Sequence, residues 1–161
     1  MLASLVFVTT TLAVGEQKPA AWKEYVFSED GFAITLPDKP TSHRESDLPE
    51  TTVYSVSVGP NAKLSLHVPH QKMDCAATMS QLKGGALAGQ SGIDSSSVKT
   101  VALGKNTGLE YEWKLSPDRQ AYSRHYCVNG RLYSFSVGWP SGHSRPAAVV
   151  RILKSFRLLS P

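Results

Sequence analysis

Five histidine and cysteine residues form the combination of the sequence best suited to hold a metal ion or take part in redox chemistry. They form two short groups, His67-x-x-His70 followed by Cys75, and His125-x-Cys127. Imidazole and thiolate groups are ligands that zinc and copper prefer in proteins. If Cys75 begins a helix that packs on the strand of His125 and Cys127, the two groups converge. The pattern therefore allows a small periplasmic metal- or redox-handling protein with a metal ion as its cofactor.

The sequence favours structural roles for the same residues. Two cysteines in a chain expected to be exported favour one disulfide, Cys75–Cys127, over two buried thiols and over metal ligation. His67 would share a strand face with Lys63 and point to solvent, and His70 follows a proline in a loop. We therefore predict a disulfide and no bound cofactor.

The sequence contains no motif of an enzyme active site. It has no G-x-S-x-G nucleophile motif and no C-x-x-C pair, and Gly84-Gly85 matches no phosphate-binding loop. We predict that the chain is not an enzyme and has no nucleotide site.

A β-hairpin centred on Asn129-Gly130 must position His125 and Cys127. Asn-Gly readily takes positive φ at both central positions of a type I′ turn, which pairs Val128 with Arg131. One face of this hairpin carries Tyr122, Tyr126, Val128, Tyr133, Phe135, Val137 and Trp139, and the other carries Ser123, His125, Cys127, Ser134, Ser136 and Gly138. The aromatic face can anchor a core, and the small residues would let a helix approach closely.

Further strands are indicated by alternation of apolar and polar residues. They are predicted at residues 32–36, 52–58, 64–68, 98–103 and 109–115, whereas the polar residues 38–50 are predicted to form a loop. Strands in hairpin-linked series fold into an antiparallel sheet.

Two helices complete the predicted fold. Asp74 is a suitable N-cap for a helix from Cys75 to about Leu87. A last helix from about Pro146 to Phe156 would turn its apolar residues toward the sheet, namely Val149, Val150, Leu153 and Phe156. An antiparallel sheet covered by helices belongs to the α+β class.

The start of the chain is typical of an exported protein. Residues Met1–Gly15 carry no charge and end in small residues, which indicates a signal peptide; a buried N-terminal strand is the alternative. The segment is too short for a transmembrane helix, and we expect none in the mature chain. A linker, Glu16–Ala21, would then precede a single domain over residues 22–161, a size usual for one domain. The expected location is periplasmic or extracellular.

The net charge of the chain is compatible with an acidic protein partner, but the distribution of its charges does not indicate binding to nucleic acid. The net charge is +4, with 17 basic and 13 acidic residues interspersed, whereas nucleic-acid binders concentrate basic residues on one face. Arg151, Lys154 and Arg157 near the C-terminus are candidate partner-binding residues. Arg124 is another, because it either stacks on the neighbouring tyrosines or emerges at the sheet edge.

Three short segments of the sequence resemble the PsbP-like family. This family includes exported bacterial proteins, and the Ran-binding protein Mog has the same fold. The segments are SEDGFAITLP at residues 28–37, NGRLY at residues 129–133 and ILKSFRL at residues 152–158. The resemblance implies an α/β/α sandwich with a central antiparallel sheet. It also implies a binding or assembly factor rather than an enzyme, and it transfers no catalytic residue.

The leading hypothesis is therefore an exported, non-catalytic module that binds an unknown protein partner. The binding surface would be the sheet edge or the basic C-terminal helix. The alternative is the small metal- or redox-handling protein built on the histidines and cysteines.

Overall fold

The structure is a computed structural model that describes residues 21–45 and 50–159. The predicted signal peptide, Met1–Gly15, and the linker up to residue 20 lie outside the described residues.

Ten strands and two helices make up the fold of the described residues. The strands are β1 (Lys23–Phe27), β2 (Phe32–Leu36), β3 (Thr41–Glu45), β4 (Thr51–Gly59), β5 (Ala62–Pro69), β6 (Lys99–Leu103), β7 (Asn106–Ser116), β8 (Arg119–Val128), β9 (Arg131–Pro140) and β10 (Arg157–Leu158). The helices are α1 (Cys75–Leu87) and α2 (Ala147–Ser155), and two short 3₁₀ turns follow α1 at Gln90–Gly92 and Ser95–Ser97.

The strands form two antiparallel sheets. The larger has seven strands in the order β3-β4-β5-β9-β8-β7-β6, and the smaller has three in the order β1-β2-β10. Strands β3 to β5 and β6 to β9 pair in sequence order, so neighbours in sequence are neighbours in the sheet. The two halves meet where β5 pairs with β9.

The Asn129-Gly130 hairpin has the predicted register. Val128 pairs with Arg131, and pairing continues outward to Arg119 and Pro140. Asn129 and Gly130 have φ values of 54° and 81°, the left-handed values that a type I′ turn requires. The predicted division of the hairpin into an aromatic face and a face of small residues is confirmed.

The two faces of the large sheet are covered by different elements. On one, which we call the α2 face, Tyr126 and Phe135 pack with the small sheet and α2 in the main core. On the other, the α1 face, Leu109 and Tyr111 pack with Ala86 of α1 in a smaller core. Helices on both faces of an antiparallel sheet confirm the predicted α+β class.

Two local predictions are wrong. Residues 41–45, predicted as a loop, form the edge strand β3; four of the five residues are exposed, so the strand shows no apolar alternation. Val150 of α2 was expected to face the sheet but is 43% exposed, whereas Ile152 is buried. The buried positions Val149, Ile152 and Leu153 follow the i, i+3, i+4 spacing, from which Val150 is displaced by one residue.

Both helices are short compared with a bilayer. Within the described residues no helix has the length and apolar character needed to cross a membrane: α1 has 13 residues and α2 has 9, against about 20 for a typical span.

Candidate functional site

Cys75 and Cys127 lie at disulfide distance. Their Sγ atoms are 2.03 Å apart and their Cα atoms 5.2 Å apart. Cys75 is the first residue of α1, and Cys127 lies near the end of β8 on the α1 face. The pairing is the one that the sequence favoured, and it joins the start of the helix to the end of β8, an interior strand of the large sheet.

The three candidate histidines are not brought together. His67 and His125 lie on the same sheet face with Ser134 of β9 between them, a separation of two strand spacings, or about 10 Å. His70 lies beyond the end of β5 and approaches Asp30 on the opposite side of the sheet. Within residues 21–45 and 50–159, no three His, Cys, Asp or Glu side chains are grouped to hold a metal ion.

His125 is buried between the sheet and α1. Its Nδ1 lies 2.9 Å from the Ser134 hydroxyl, and its Nε2 lies 2.9 Å from the Tyr111 hydroxyl. Burial lowers the pKa of His125 to about 4, because the charged imidazole would lose its hydration. His125 is therefore neutral at pH 7 and links β7, β8 and β9 through hydroxyl groups.

Sequence reasoning missed a buried carboxylate in the turn between β1 and β2. Asp30 is only 2% exposed, and its Oδ2 accepts a hydrogen bond from the Tyr54 hydroxyl. Its Oδ1 has no hydrogen-bond donor among the described residues; His70 Nε2 lies 3.4 Å away and Arg131 Nη1 4.0 Å away. Burial, together with the bond to Asp30, raises the pKa of Tyr54 far above its ordinary value.

The Asp30 turn is fastened to the large sheet by its backbone as well. The Tyr133 hydroxyl donates to the carbonyl of Asp30 at 2.8 Å, and Arg131 Nη1 donates to the carbonyl of Glu29 at 2.9 Å. These contacts join the small sheet to the tip of the β8–β9 hairpin. Asp30 therefore holds two layers of the fold together.

Thr52, His70 and Asp30 have the residue types of a catalytic relay but not its geometry. A relay uses both ring nitrogens of histidine, one toward the hydroxyl and the other toward the carboxylate. Here Nε2 lies 2.8 Å from Thr52 Oγ1 and also 3.4 Å from Asp30 Oδ1. One nitrogen faces both groups, so the carboxylate cannot orient the imidazole toward the hydroxyl.

A cleft of about 500 Å³ lies beside the Asp30 turn. It is lined by Ser28, Gly31, Val128, Asn129, Arg131, Tyr133, Leu158 and Leu159. This lining contains neither a carboxylate nor a histidine, which are the usual general acids and bases. Its polar side chains are those of Ser28, Asn129, Arg131 and Tyr133, and the Tyr133 hydroxyl donates to the carbonyl of Asp30.

Arg124 is held in an ion pair that the sequence analysis did not predict. Glu110 lies opposite it across β7 and β8, and both Nε and Nη2 of Arg124 donate to the Glu110 carboxylate. The guanidinium also lies 5.8 Å from the centre of the Tyr122 ring, the predicted stacking contact. Burial acts to raise the pKa of Glu110, but hydrogen bonds from Tyr122 and Arg124 outweigh it and hold that pKa below its ordinary value.

The C-terminal cations lie outside the main core. The Arg151 guanidinium stacks 4.0 Å from the centre of the Trp22 ring, and Arg157 Nε lies 3.1 Å from Glu24 Oε1. Arg151 and Lys154 are both exposed on α2, which contains no acidic residue. Three of the four candidate partner-binding residues therefore lie at the surface, whereas Arg124 is half-buried beside Glu110.

The fold of this chain is similar to that of proteins with solved structures. Neither the models of known protein families nor the curated protein sequences give a match. Among solved structures, cyanobacterial PsbP (CyanoP) from Synechocystis sp. PCC 6803 superposes with a TM-score of 0.61 and 11% identity. The match covers 94% of this chain and 98% of CyanoP. The chain has a PsbP-like fold.

A second solved structure agrees over most of the chain. A protein from Bacteroides thetaiotaomicron VPI-5482 superposes with a TM-score of 0.57 and 8% identity, covering 86% of this chain and 48% of the other. At these identities the likeness concerns the fold. The family resemblance drawn from three short segments is confirmed at that level, and the PsbP-like fold positions the groups described above.

Proposed function

We propose that the chain is an exported, non-catalytic binding or assembly module that acts through protein–protein contacts. One observation carries the proposal. The outer side of α2 exposes an aliphatic residue, Val150, beside two cations, Arg151 and Lys154, in a helix without an acidic residue. A cationic helix face without acidic residues is electrostatically complementary to an acidic protein surface, and the exposed valine beside it adds apolar contact area.

The exposed surface extends from α2 to the small sheet. Val26 of β1 is 54% exposed, and Val26 and Arg157 both pair with Ala33, so their side chains leave the same face of that sheet. The Arg151–Trp22 contact connects α2 to the residue before β1, and the Arg157–Glu24 contact lies within the small sheet, between β10 and β1. We name Val26, Val150, Arg151, Lys154 and Arg157 the α2 outer surface.

The chemistry of the α2 outer surface selects the class of partner. This surface carries three positive charges, and the one acidic residue in contact with them is Glu24, beside Arg157. A partner with an acidic surface is therefore electrostatically complementary. The valines supply the apolar contact that is buried when the complex forms. Association should weaken as salt is added, because exposed charges are screened.

A binding role is also supported by the arrangement of the polar groups. In the part of the chain that the structure describes, His70 lacks relay geometry, His125 is buried, and Arg124 is paired with Glu110. The Cys75–Cys127 pair supports export, because disulfides persist in oxidising compartments. The predicted signal peptide is a second argument for export.

Site-specific photocrosslinking tests the proposal. A benzophenone amino acid is placed at Val150 or, as a control of similar exposure, at Leu87 on the opposite side of the sheet. After irradiation in an extract of the source cells, we expect an adduct with an acidic protein from position 150 alone. We also expect no adduct when the extract is irradiated in 0.5 M salt, a concentration that shortens the Debye length to roughly 4 Å and so weakens the association that precedes crosslinking. Equal adducts at both positions, or none at position 150, would overturn the proposal.

A further inference from the structure

Helix α1 makes unusually little contact with the sheet. Of its 13 residues only Ala86 is buried, while Met79 and Leu82 are partly buried against the smaller core. Leu87, the last residue of α1, is 53% exposed. Packing of an apolar face normally supplies most of the stability of a helix in a protein. That contribution is small for α1.

The sequence of α1 weakens the helix further. Gly84 and Gly85 lie within its last two turns, and each glycine disfavours the helical conformation by roughly fivefold relative to alanine. At the other end, the Asp74 carboxylate caps the helix by accepting hydrogen bonds from the backbone of Ala76 and Ala77. The hydrogen-bonded cap of α1 is thus at its N-terminus, opposite the end that carries the glycines.

The covalent attachment of α1 is at the same end. Cys75, its first residue, is bonded to Cys127 of β8, and the backbone N–H of Met73 donates to the carbonyl of Gly130 at 2.8 Å. The disulfide therefore keeps the helix over the sheet even when its weak side-chain contacts open.

Beneath α1 lies a surface that the helix protects. Leu109 and Tyr111 are 3% and 8% exposed, and His125 is 8% exposed beside them. The main core is on the opposite face of the sheet, and no α1 residue belongs to it. Ile93 and Val98, which follow α1 in the chain, also pack against this smaller core. Loss of α1 would therefore remove part of the cover of Leu109 and Tyr111 while the main core stays intact.

We propose that the Cys75–Cys127 disulfide is a redox latch that holds α1 over the α1 face. A dithiol reductant transfers two electrons and two protons: the S–S bond breaks, both cysteines become thiols, and the dithiol closes to its own disulfide. Reduction releases α1 and increases the exposure of Leu109 and Tyr111, and the rest of the sheet remains folded. This inference does not depend on the α2 outer surface.

Hydrogen exchange followed by mass spectrometry tests the latch. The full chain is compared in its oxidised form and in excess dithiothreitol, a dithiol. Peptides from residues 75–87 should exchange at least about tenfold faster after reduction, while peptides from β5 and β9 keep their protection. Unchanged exchange in α1 would overturn the proposal, as would loss of protection throughout the sheet, since the disulfide would then stabilise the whole fold.

A variant separates reduction from any other effect of the dithiol. In Cys75→Ser/Cys127→Ser, the α1 peptides should exchange at the fast rate without reductant, and dithiothreitol should cause no further change. If the variant retains the slow exchange of the oxidised chain, no latch exists. If the variant is unfolded by circular dichroism, the disulfide is required globally and the proposal is wrong.

Discussion

At the scale of single residues, sequence reasoning placed the cysteines better than the histidines. Cys75 and Cys127 could be paired because the chain contains only two cysteines. His125 was located correctly on the small-residue face of its hairpin, but its bond to Tyr111 depends on the register of β7 against β8, which no turn signal predicted. The groups that surround a buried side chain come from residues distant in sequence. A pattern of residue types over a short segment carries no information about those neighbours.

Asp30 and Glu110 show the same limit. Ser-Glu-Asp-Gly indicates a turn, and nothing local to those residues indicates that Tyr54 and Tyr133 cover Asp30. Glu110 is one of the polar residues that alternate with apolar ones in the predicted strand 109–115. Only the β7–β8 register places it opposite Arg124 and so brings the two charges together.

The buried His125 should make stability depend on pH. Its pKa is lowered from 6.5 to about 4 in the folded chain, so between these values the unfolded chain binds more protons and stability rises with pH. Acidification from pH 7 toward pH 4 should therefore reduce the free energy of unfolding by up to roughly 3 kcal/mol. Urea denaturation at pH 7, 6, 5 and 4.5 measures this change.

The variant His125→Gln is the matched control, because glutamine can still bond to a hydroxyl group but does not titrate. Its free energy of unfolding should change little between pH 7 and pH 5. Below about pH 4.5 the wild type and the variant should both lose the contribution of Glu110, whose folded pKa is lowered. Parallel pH profiles above pH 5 would show that His125 is not the group responsible.

At the scale of elements, capping and turn signals were more informative than apolar spacing. Asp74 correctly predicted where α1 begins, and Asn129-Gly130 correctly predicted the hairpin. The buried face of α2 was less well predicted, as Val150 shows, because neighbouring positions of a short apolar helix differ little in their apolar spacing. The edge strand β3 was missed since it buries almost nothing.

Two glycines in the chain should respond oppositely to replacement by alanine. Gly84 is helical with no atom within 4 Å of an added Cβ, so Gly84→Ala should stabilise the fold by up to about 1 kcal/mol through helix propensity. Gly130 has a φ of +81°, and a Cβ there would lie 2.8 Å from Lys72 Cγ. Gly130→Ala should therefore destabilise the fold by at least about 1 kcal/mol.

Denaturant unfolding of the two variants measures these changes. A shift of the midpoint at an unchanged m value reports a change in the free energy of unfolding. Gly84→Ala should also slow hydrogen exchange of α1 in the reduced chain, because it favours the helix itself. Destabilisation by Gly84→Ala would mean that a contact absent from this structure occupies the space beside it.

At the scale of the whole molecule, the α+β class and the PsbP-like fold were predicted, but the small sheet was not. Strand β10 has two residues and pairs with β2, where Arg157 lies opposite Ala33, 124 positions earlier in the chain. No local pattern indicates such a pairing. The central antiparallel sheet was predictable because most of its strands are joined by short turns.

The two proposed features, the binding surface and the redox latch, lie on opposite faces of the large sheet. The α2 outer surface lies on one side of the large sheet and is formed by α2 and the small sheet, whereas the redox latch lies on the other side. A charge change on one side leaves the other intact. Lys154 on α2 and Lys83 on α1 are both exposed lysines, and they form a matched pair for this purpose.

Partner retention by two charge-reversed variants tests the central claim most directly. Wild type, Lys154→Glu and Lys83→Glu, each immobilised in its folded form, are compared for acidic proteins retained from an extract of the source cells. The two substitutions change the net charge equally, so only the position of the change differs. We predict that an acidic protein is retained by wild type and Lys83→Glu and that Lys154→Glu loses most of it. Equal retention by both variants would contradict binding through the α2 outer surface.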